Sequence, residues 1–302
     1  MLVCEMRGDV VRLHIHYTMG VIIYLRYNFL WTSVLFMHTL YVLRPIMGFM
    51  KTIAIIPVFN GETTIIEVVK RSLPQVDCVI VVDDGSTDAT NKRVRKFIAS
   101  GHKGRIKLLA NDQNHGKGFS LRKGVLYAIA NDFDVVVTLD CDLEHDPREI
   151  PSVLKQITHN DMVLVERISY RSMFRKMLNL WSNLWVRMLV SEVSDTQCGF
   201  RAFRTDLLRR MDLTSDDFSI ELEMILEAYR NKARIGLLQT KTKKIAESKV
   251  TFTDYLRIND LFDAWFIRKN KELDISFFKR NLILLAARIG LHLSTLARIT
   301  LK

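Results

Sequence analysis

The chain has 302 residues, 48% of them hydrophobic, with 44 Lys and Arg against 33 Asp and Glu for a formal charge of +11. That apolar content supplies one large core or two small ones and excludes a disordered chain. The positive excess calls for an anionic partner, which leaves nucleic acid, a membrane surface or a phosphate-bearing substrate in play.

Residues 1–49 read as a hydrophobic N-terminal extension. Between Arg26 and Arg44 lie 17 uncharged residues, YNFLWTSVLFMHTLYVL, just short of the roughly 20 that span a bilayer. An anchor helix and a displaced start are both compatible with this stretch, since MKTIAIIPVFN opens directly on a strand pattern at Met50; a buried core helix is the third reading. No cleavage site marks a processed signal peptide. His14 and His16 read as surface residues. The cysteines, Cys4, Cys78, Cys141 and Cys198, show neither CxxC spacing nor a His partner at zinc spacing, which points to a reducing compartment.

From residue 52 the pattern becomes regular. TIAIIPV (52–58), DCVIVVDD (77–84), RIKLLAN (105–111), DVVVTLD (134–140) and DMVLVE (161–166) are short β-branched runs separated by helical stretches. The alternation predicts an α/β fold, a mostly parallel sheet with helices on both faces and ligands at the carboxyl ends of its strands. Helix starts are marked by Thr63 or Thr64, by Ser86 and Asp88, and by Asp146 followed by Pro147. After residue 166 the strand pattern gives way to a helical stretch over 172–190, then a loop and strand in SDTQCGFRAFR, a helix in FSIELEMILEAYRNK, and two further helices in the tail. Three segments result: the extension 1–49, an α/β domain 50–250, and a helical, membrane-interface segment 251–302.

The strand ends hold the chemistry. PVFNGE lacks the GxGxxG of dinucleotide binders. VVDDGSTD ends its strand on two acids, which read by themselves as a helix cap or, since a cap needs only one, as acceptors for a nucleobase or ribose. NHGKGFSLRKG is not a phosphate-binding P-loop, because Asn111 stands where the first Gly belongs and Gly118 follows the Lys; it leaves Lys117 at a helix start, placed for a phosphate or an acidic side chain. In LDCDLEHDP, an extended run would put Asp140, Asp142 and Glu144 on one side. Three converging carboxylates repel unless a cation sits among them, and all-oxygen ligation points to Mg²⁺ or Mn²⁺, with a zinc alternative through His145. No aromatic-studded basic strand or groove-reading motif appears, which sets nucleic acid aside as a partner.

PVFN, VVDDGSTD, NHGKG, LDCDLEHDP and DTQCGFRAF, in this order, resemble the inverting family 2 glycosyltransferases of GT-A (Rossmann-like) fold. DTQCGFRAF and FSIELEM resemble the branch that holds dolichol-phosphate mannose synthases and polyprenyl-phosphate glycosyltransferases. The resemblance covers about two-thirds of the chain, residues 52–245. It implies that Pro57, Phe59 and Glu62 line a nucleotide pocket, that Asp83 and Asp84 hold nucleobase and ribose, and that Lys117 sits near the nucleotide. Asp140 and Asp142 would form the DxD motif bridging diphosphate and metal, with Glu144 as a further ligand. Arg167 and Arg175 would meet phosphates, joined by Arg171, while Asp195 and Gln197 would face the acceptor. The processive signature QxxRW is absent, which favours a single transfer. The implied activity is metal-dependent transfer of one hexose from a nucleotide sugar, of GDP-mannose or UDP-glucose type, to a polyprenyl or dolichyl phosphate at the cytoplasmic face of the membrane, by a peripheral or singly anchored enzyme. The alternatives are a saccharide or lipid-linked glycan acceptor, with Asp195 as base, and an inactive nucleotide-sugar-binding membrane protein.

Overall fold

The computed structural model describes residues 2–7, 10–16, 22–28, 50–167, 186–187, 189–190, 193, 195–240, 252–277 and 279–288. The chain divides into two compact units, Met1–Met50 and Lys51–Lys302. In the first, β1 (Leu2–Arg7), β2 (Val10–His16) and β3 (Ile22–Asn28) form an antiparallel sheet in the order β1-β2-β3. Strands were not expected there, although apolar Val11, Leu13 and Ile15 alternate with Arg12, His14 and His16 at the period of a strand. Only Tyr27 and Asn28 of the uncharged stretch fall in β3. Its remainder, and with it the anchor reading, lies outside the described residues.

The second unit is built on a seven-stranded sheet. Its strands are β4 (Thr52–Val58), β5 (Cys78–Asp83), β6 (Ile106–Ala110), β7 (Val135–Thr138), β8 (Met162–Arg167), β9 (Arg201–Arg204) and β10 (Ile235–Thr240). They lie in the order β10-β8-β9-β7-β4-β5-β6. All neighbours are parallel except β9, which runs antiparallel to both β7 and β8. The five strands expected over 52–166 are thus present and mainly parallel, and the strand expected in SDTQCGFRAFR is β9. β10 was not foreseen: IGLLQT is a half-buried edge strand following the point where the strand pattern had given way to helices.

Continuous apolar runs explain the central strands. Every residue of β4 is buried, as is every residue of β5 after Cys78, because helices cover both faces of a parallel sheet. Connecting helices are α1 (Ile65–Ser72), α2 (Thr90–Ala99), α3 (Lys117–Ala130) and α4 (Ile150–Ile157). Beyond them come α5 (Thr205–Leu208), α6 (Ile220–Arg230) and α7 (Phe252–Lys269). Trp265 on α7 donates from Nε1 to Glu227 Oε1 on α6 at 2.9 Å, so α7 docks through a satisfied polar contact within an apolar face. Residues 279–288 are helical. Of the helix expected over 172–190, only Val186, Arg187, Leu189 and Val190 are described, and the first three are helical. No helix among the described residues is long and apolar enough to cross a membrane.

Topology fixes the site. From β4 the chain steps to β5 and β6 on one side, then crosses to β7 on the other, so β4 and β7 flank a point where strand order reverses. Their carboxyl ends splay apart into a crevice there. The ladder between β4 and β7 stops at Ile55 and Thr138, so Pro57, which has no N–H to donate, lies beyond it.

Candidate active site

Three strand ends and two helix starts converge at this crevice. After β4, Asn60 takes a left-handed φ of 50°. Its Oδ1 accepts from Thr87 N at 2.9 Å, while Asn60 N donates to Ser86 Oγ at 2.9 Å. Glu62 is tied the same way: its N donates to Asp88 Oδ2 and its Oε2 accepts from Ala89 N at 2.9 Å, ahead of α2. Glu62 therefore staples two loops. Phe59, 38% exposed, is the side chain of this loop that offers an apolar face to solvent.

Asp83 and Asp84 are both buried. Asp83 accepts from Ser86 N at 3.0 Å and Asn91 Nδ2 at 2.7 Å. Asp84 accepts from Asn111 Nδ2 at 2.7 Å, His115 N at 3.1 Å and Gly116 N at 2.8 Å. Two adjacent acids thus do two jobs: Asp83 forms its own turn, and Asp84 holds the NHGKG loop and so the start of α3.

Lys117, the first residue of α3, points into the crevice and bridges two carboxylates, with Nζ 2.5 Å from Asp140 Oδ1 and 2.5 Å from Glu221 Oε1. Burial alone would lower the pKa of this ammonium, but Asp140 and Glu221 outweigh it and raise it, so Lys117 stays charged. Burial likewise works against ionised Asp140, and Lys117 overrides it, holding the carboxyl below its usual range. Asp142 has the opposite balance. Burial, then the charges of Asp140 and Glu144, push its pKa up.

The expected three-carboxylate cluster does not form. β7 ends at Thr138, and Leu143 adopts a left-handed φ of 62°, so residues 140–144 turn instead of alternating. The turn lets Glu144 N donate to Asp142 Oδ1 at 2.9 Å and sends the Glu144 carboxylate to Arg167, Oε2 to Nη1 at 2.9 Å. Among the described residues, no group of three or more His, Cys, Asp or Glu side chains is arranged to hold a metal. Asp140 and Asp142 alone do fit a divalent cation, because Mg²⁺ is commonly held by one or two carboxylates plus substrate phosphates. Their mutual repulsion marks the place, and Glu144 is paired with Arg167 in this structure.

Arg167 also grips Asp195 through both carboxylate oxygens, Nε to Oδ2 at 2.7 Å and Nη2 to Oδ1 at 3.1 Å. Burial opposes its charge, but Asp195 and Glu144 more than compensate and raise its pKa. Gln197 N donates to Asp195 Oδ1 at 3.2 Å, which fixes the loop before β9. Arg171 and Arg175 lie outside the described residues. His145, without a role in the sequence reading, is buried with Nε2 3.2 Å from Cys198 Sγ and its ring edge-on to Phe200. Burial lowers its pKa, so it packs as a neutral ring. Asp146 starts the next helix as expected, accepting from Arg148 N at 3.1 Å.

Glu221 was missed. Its helix is buried nearly all round, with Ile220, Leu222, Met224, Ile225 and Leu226 in the core. An acid inside such a run must find a cation or hydrogen-bond donors. That requirement, set beside a Lys at a helix start, was the available signal.

Residues 53–213 match the family Glycosyl transferase family 2. An uncharacterized protein of Methanocaldococcus jannaschii is 33% identical over 195 residues, covering 61% of this chain and 84% of that protein. The undecaprenyl-phosphate mannosyltransferase of Micrococcus luteus is 26% identical over 68% of this chain and 84% of its own length. The dolichyl-phosphate beta-glucosyltransferase of Dictyostelium discoideum is 27% identical over 57% of each. Among solved structures, glucosyl-3-phosphoglycerate synthase from Mycobacterium tuberculosis, crystallised with Mn²⁺, UDP and glucosyl-3-phosphoglycerate, superposes with a TM-score of 0.58 at 21% identity, covering 78% of this chain and 84% of that one. The likeness establishes a shared GT-A, Rossmann-like fold. With the family spanning more than half of its length, and with that fold, the chain is a glycosyltransferase and belongs to glycosyl transferase family 2.

Proposed function

We propose that this enzyme moves one hexose from a nucleotide sugar, of GDP-mannose or UDP-glucose type, to a polyprenyl or dolichyl phosphate, with inversion at the anomeric carbon and with Mg²⁺ or Mn²⁺ as cofactor. The observation that carries the reading is the charge balance of the crevice. Lys117 neutralises Asp140, while Asp142 beside it carries a carboxylate that its surroundings push toward the neutral form. A divalent cation and a diphosphate would complete what one ammonium leaves undone. The acceptor class is supported by the relatives named above, which act on undecaprenyl and dolichyl phosphates.

Asp140 and Asp142 would hold the metal, which when bound supplies a Lewis acid for the departing nucleoside diphosphate. The protein's own groups account for the rest. Pro57 and Phe59 frame the nucleotide pocket, with Phe59 exposed for stacking on a base. Glu62, Asp83 and Asp84 shape that pocket by holding the turns that form it, and Asp83 and Asp84, with about four acceptor sites on each carboxylate, would meet base and ribose there. Lys117 places a permanent positive charge where the diphosphate lies.

A phosphate monoester has a second pKa of roughly 6 and is already largely ionised at neutral pH. It needs orientation more than deprotonation. Asp195, committed to Arg167 through both oxygens, suits that case: it aims a guanidinium at the acceptor phosphate and takes no proton itself. Arg175 is assigned the same task. The acceptor is a membrane lipid, so the enzyme would work at the cytoplasmic membrane surface. The tail supports this, since Phe277, Leu282 and Leu285 are exposed at 79%, 46% and 60% beside Lys279 and Arg280.

The test is to incubate purified protein with Mg²⁺ or Mn²⁺, a panel of nucleotide sugars and polyprenyl phosphate, and to look for an acid-labile glycolipid. Asp142→Ala is expected to abolish its formation while the circular dichroism spectrum is unchanged. Full turnover in that variant would remove the metal from the mechanism.

A further inference from the structure

We propose that Glu221 is a positioning residue for Lys117: it gives the ammonium a second carboxylate to rest on, so that Asp140 can exchange Lys117 for a divalent cation without stranding a buried charge. The inference rests on the reading above that a cation binds at Asp140. Lys117 Nζ stands 2.5 Å from one oxygen of each acid, and the side chains of Lys117 and Glu221 are only 14% and 3% exposed. A buried ammonium with a single partner gives that partner up at great cost, because the charge left behind is neither solvated nor paired. With two partners, one remains. Glu221 Oε2 is buried without a hydrogen-bond partner, so the same carboxylate can share the ammonium through both oxygens once Asp140 lets go.

The two halves of the bridge belong to different frames. Lys117 and Glu221 are locked to each other through the loop ahead of α6. Phe119 N donates to Asp216 O at 3.1 Å, and Arg122 Nη1 donates to the carbonyl oxygens of Leu213 at 3.3 Å and Thr214 at 3.0 Å. A Cβ on Gly118 would lie 2.3 Å from Ser215 O, so the first turn of α3 touches this loop backbone to backbone. The Glu223 carboxylate closes the loop by accepting from Thr214 N at 3.0 Å and Ser215 N at 2.9 Å. Asp140 arrives separately, from the turn after β7. Its carboxylate can therefore change partners while Lys117 and Glu221 hold station beside the diphosphate.

The measurement is Mn²⁺ binding, read as loss of the free-ion EPR signal, with and without UDP or GDP, alongside a melting curve for each protein. Without nucleotide, Glu221→Gln is expected to raise the Mn²⁺ dissociation constant about tenfold, within the usual range for coupled sites, because Lys117 then competes for Asp140 with no second carboxylate to rest on. Adding Lys117→Met to that variant removes the competitor and is expected to return Mn²⁺ affinity to the wild-type value or tighter. A purely structural Glu221 would lower the melting temperature and leave Mn²⁺ binding by the folded protein unchanged, which would overturn the inference. So would a double variant that binds no more tightly than Glu221→Gln. If Glu221→Gln does not fold, Glu221→Asp carries the comparison: about threefold weaker Mn²⁺ binding is expected, and unchanged binding overturns the proposal. A wild-type protein that takes up no Mn²⁺ with either nucleotide would instead defeat the metal reading itself.

Discussion

Asp140 owes its place to the residue that faces it. A Cβ on Gly199 would lie 2.3 Å from Asp140 Oδ2 and 2.7 Å from its Cγ, so only glycine lets the carboxylate settle against the end of β9. Thr138 Oγ1 donates to Gly199 O at 2.8 Å and fixes that approach. Gly199→Ala is expected to displace Asp140 by about 1 Å, a misplacement that costs on the order of 100-fold in rate, and to cost only about 1–3 kcal/mol of stability. Glycolipid formation and urea denaturation separate the two effects; equal losses in both would assign Gly199 to packing alone. At this scale the acids and Lys117 were legible as a crevice. The fate of Glu144 was not, because it follows from a left-handed Leu143, a conformation that a leucine rarely adopts.

Arg201 sets the relation between β9 and α6. Buried at 1% exposure, it donates to Cys198 O at 2.7 Å, to Thr196 O at 2.8 Å and to Glu221 O, joining the loop of Asp195 and Gln197 to the helix of Glu221. Burial lowers its pKa, so it carries a desolvation cost that these three carbonyls offset. Arg201→Met leaves all three without that donor and is expected to destabilise the protein by about 3 kcal/mol, read from urea unfolding; a change under about 1 kcal/mol would mean that water replaces the guanidinium. The strand in CGFRAFR was readable from its pattern, but its direction was not. β9 runs against its neighbours because its partners across the sheet decide its sense, and even β8, the strand before it, ends at Arg167, far short of Arg201.

The stability of the whole molecule carries a pH signature from α7. Burial, aided by the charge of Asp260, pushes the pKa of Asp263 up to about 7 from the ordinary 3.8. Between those two values the folded protein keeps a proton that the unfolded chain has released, so stability falls as pH rises through that window and levels off above it. Asp263→Asn keeps the neutral form at every pH. The variant is expected to match the wild type near pH 4 and to melt at a higher temperature at pH 8, and the difference between the two melting curves isolates this group from other carboxylates. A constant difference from pH 4 to pH 8 would place the Asp263 titration outside this window.

The sequence by itself determined the alternating β/α order, six of the seven strands of the main sheet, the crevice at the strand ends and the acids that line it, because period, turn residues and strand-end acids are local features. Tertiary structure decided what those acids touch. Lys117 meets Glu221, Arg167 meets both Glu144 and Asp195, and Asp84 holds the start of α3 through the Gly116 N–H, and each of these contacts joins groups far apart in the chain. No local rule chooses among so many charged residues. Burial does, since a charge removed from water must find a counter-charge or hydrogen-bond donors within the fold, and only the packed sheet and helices bring those partners into reach.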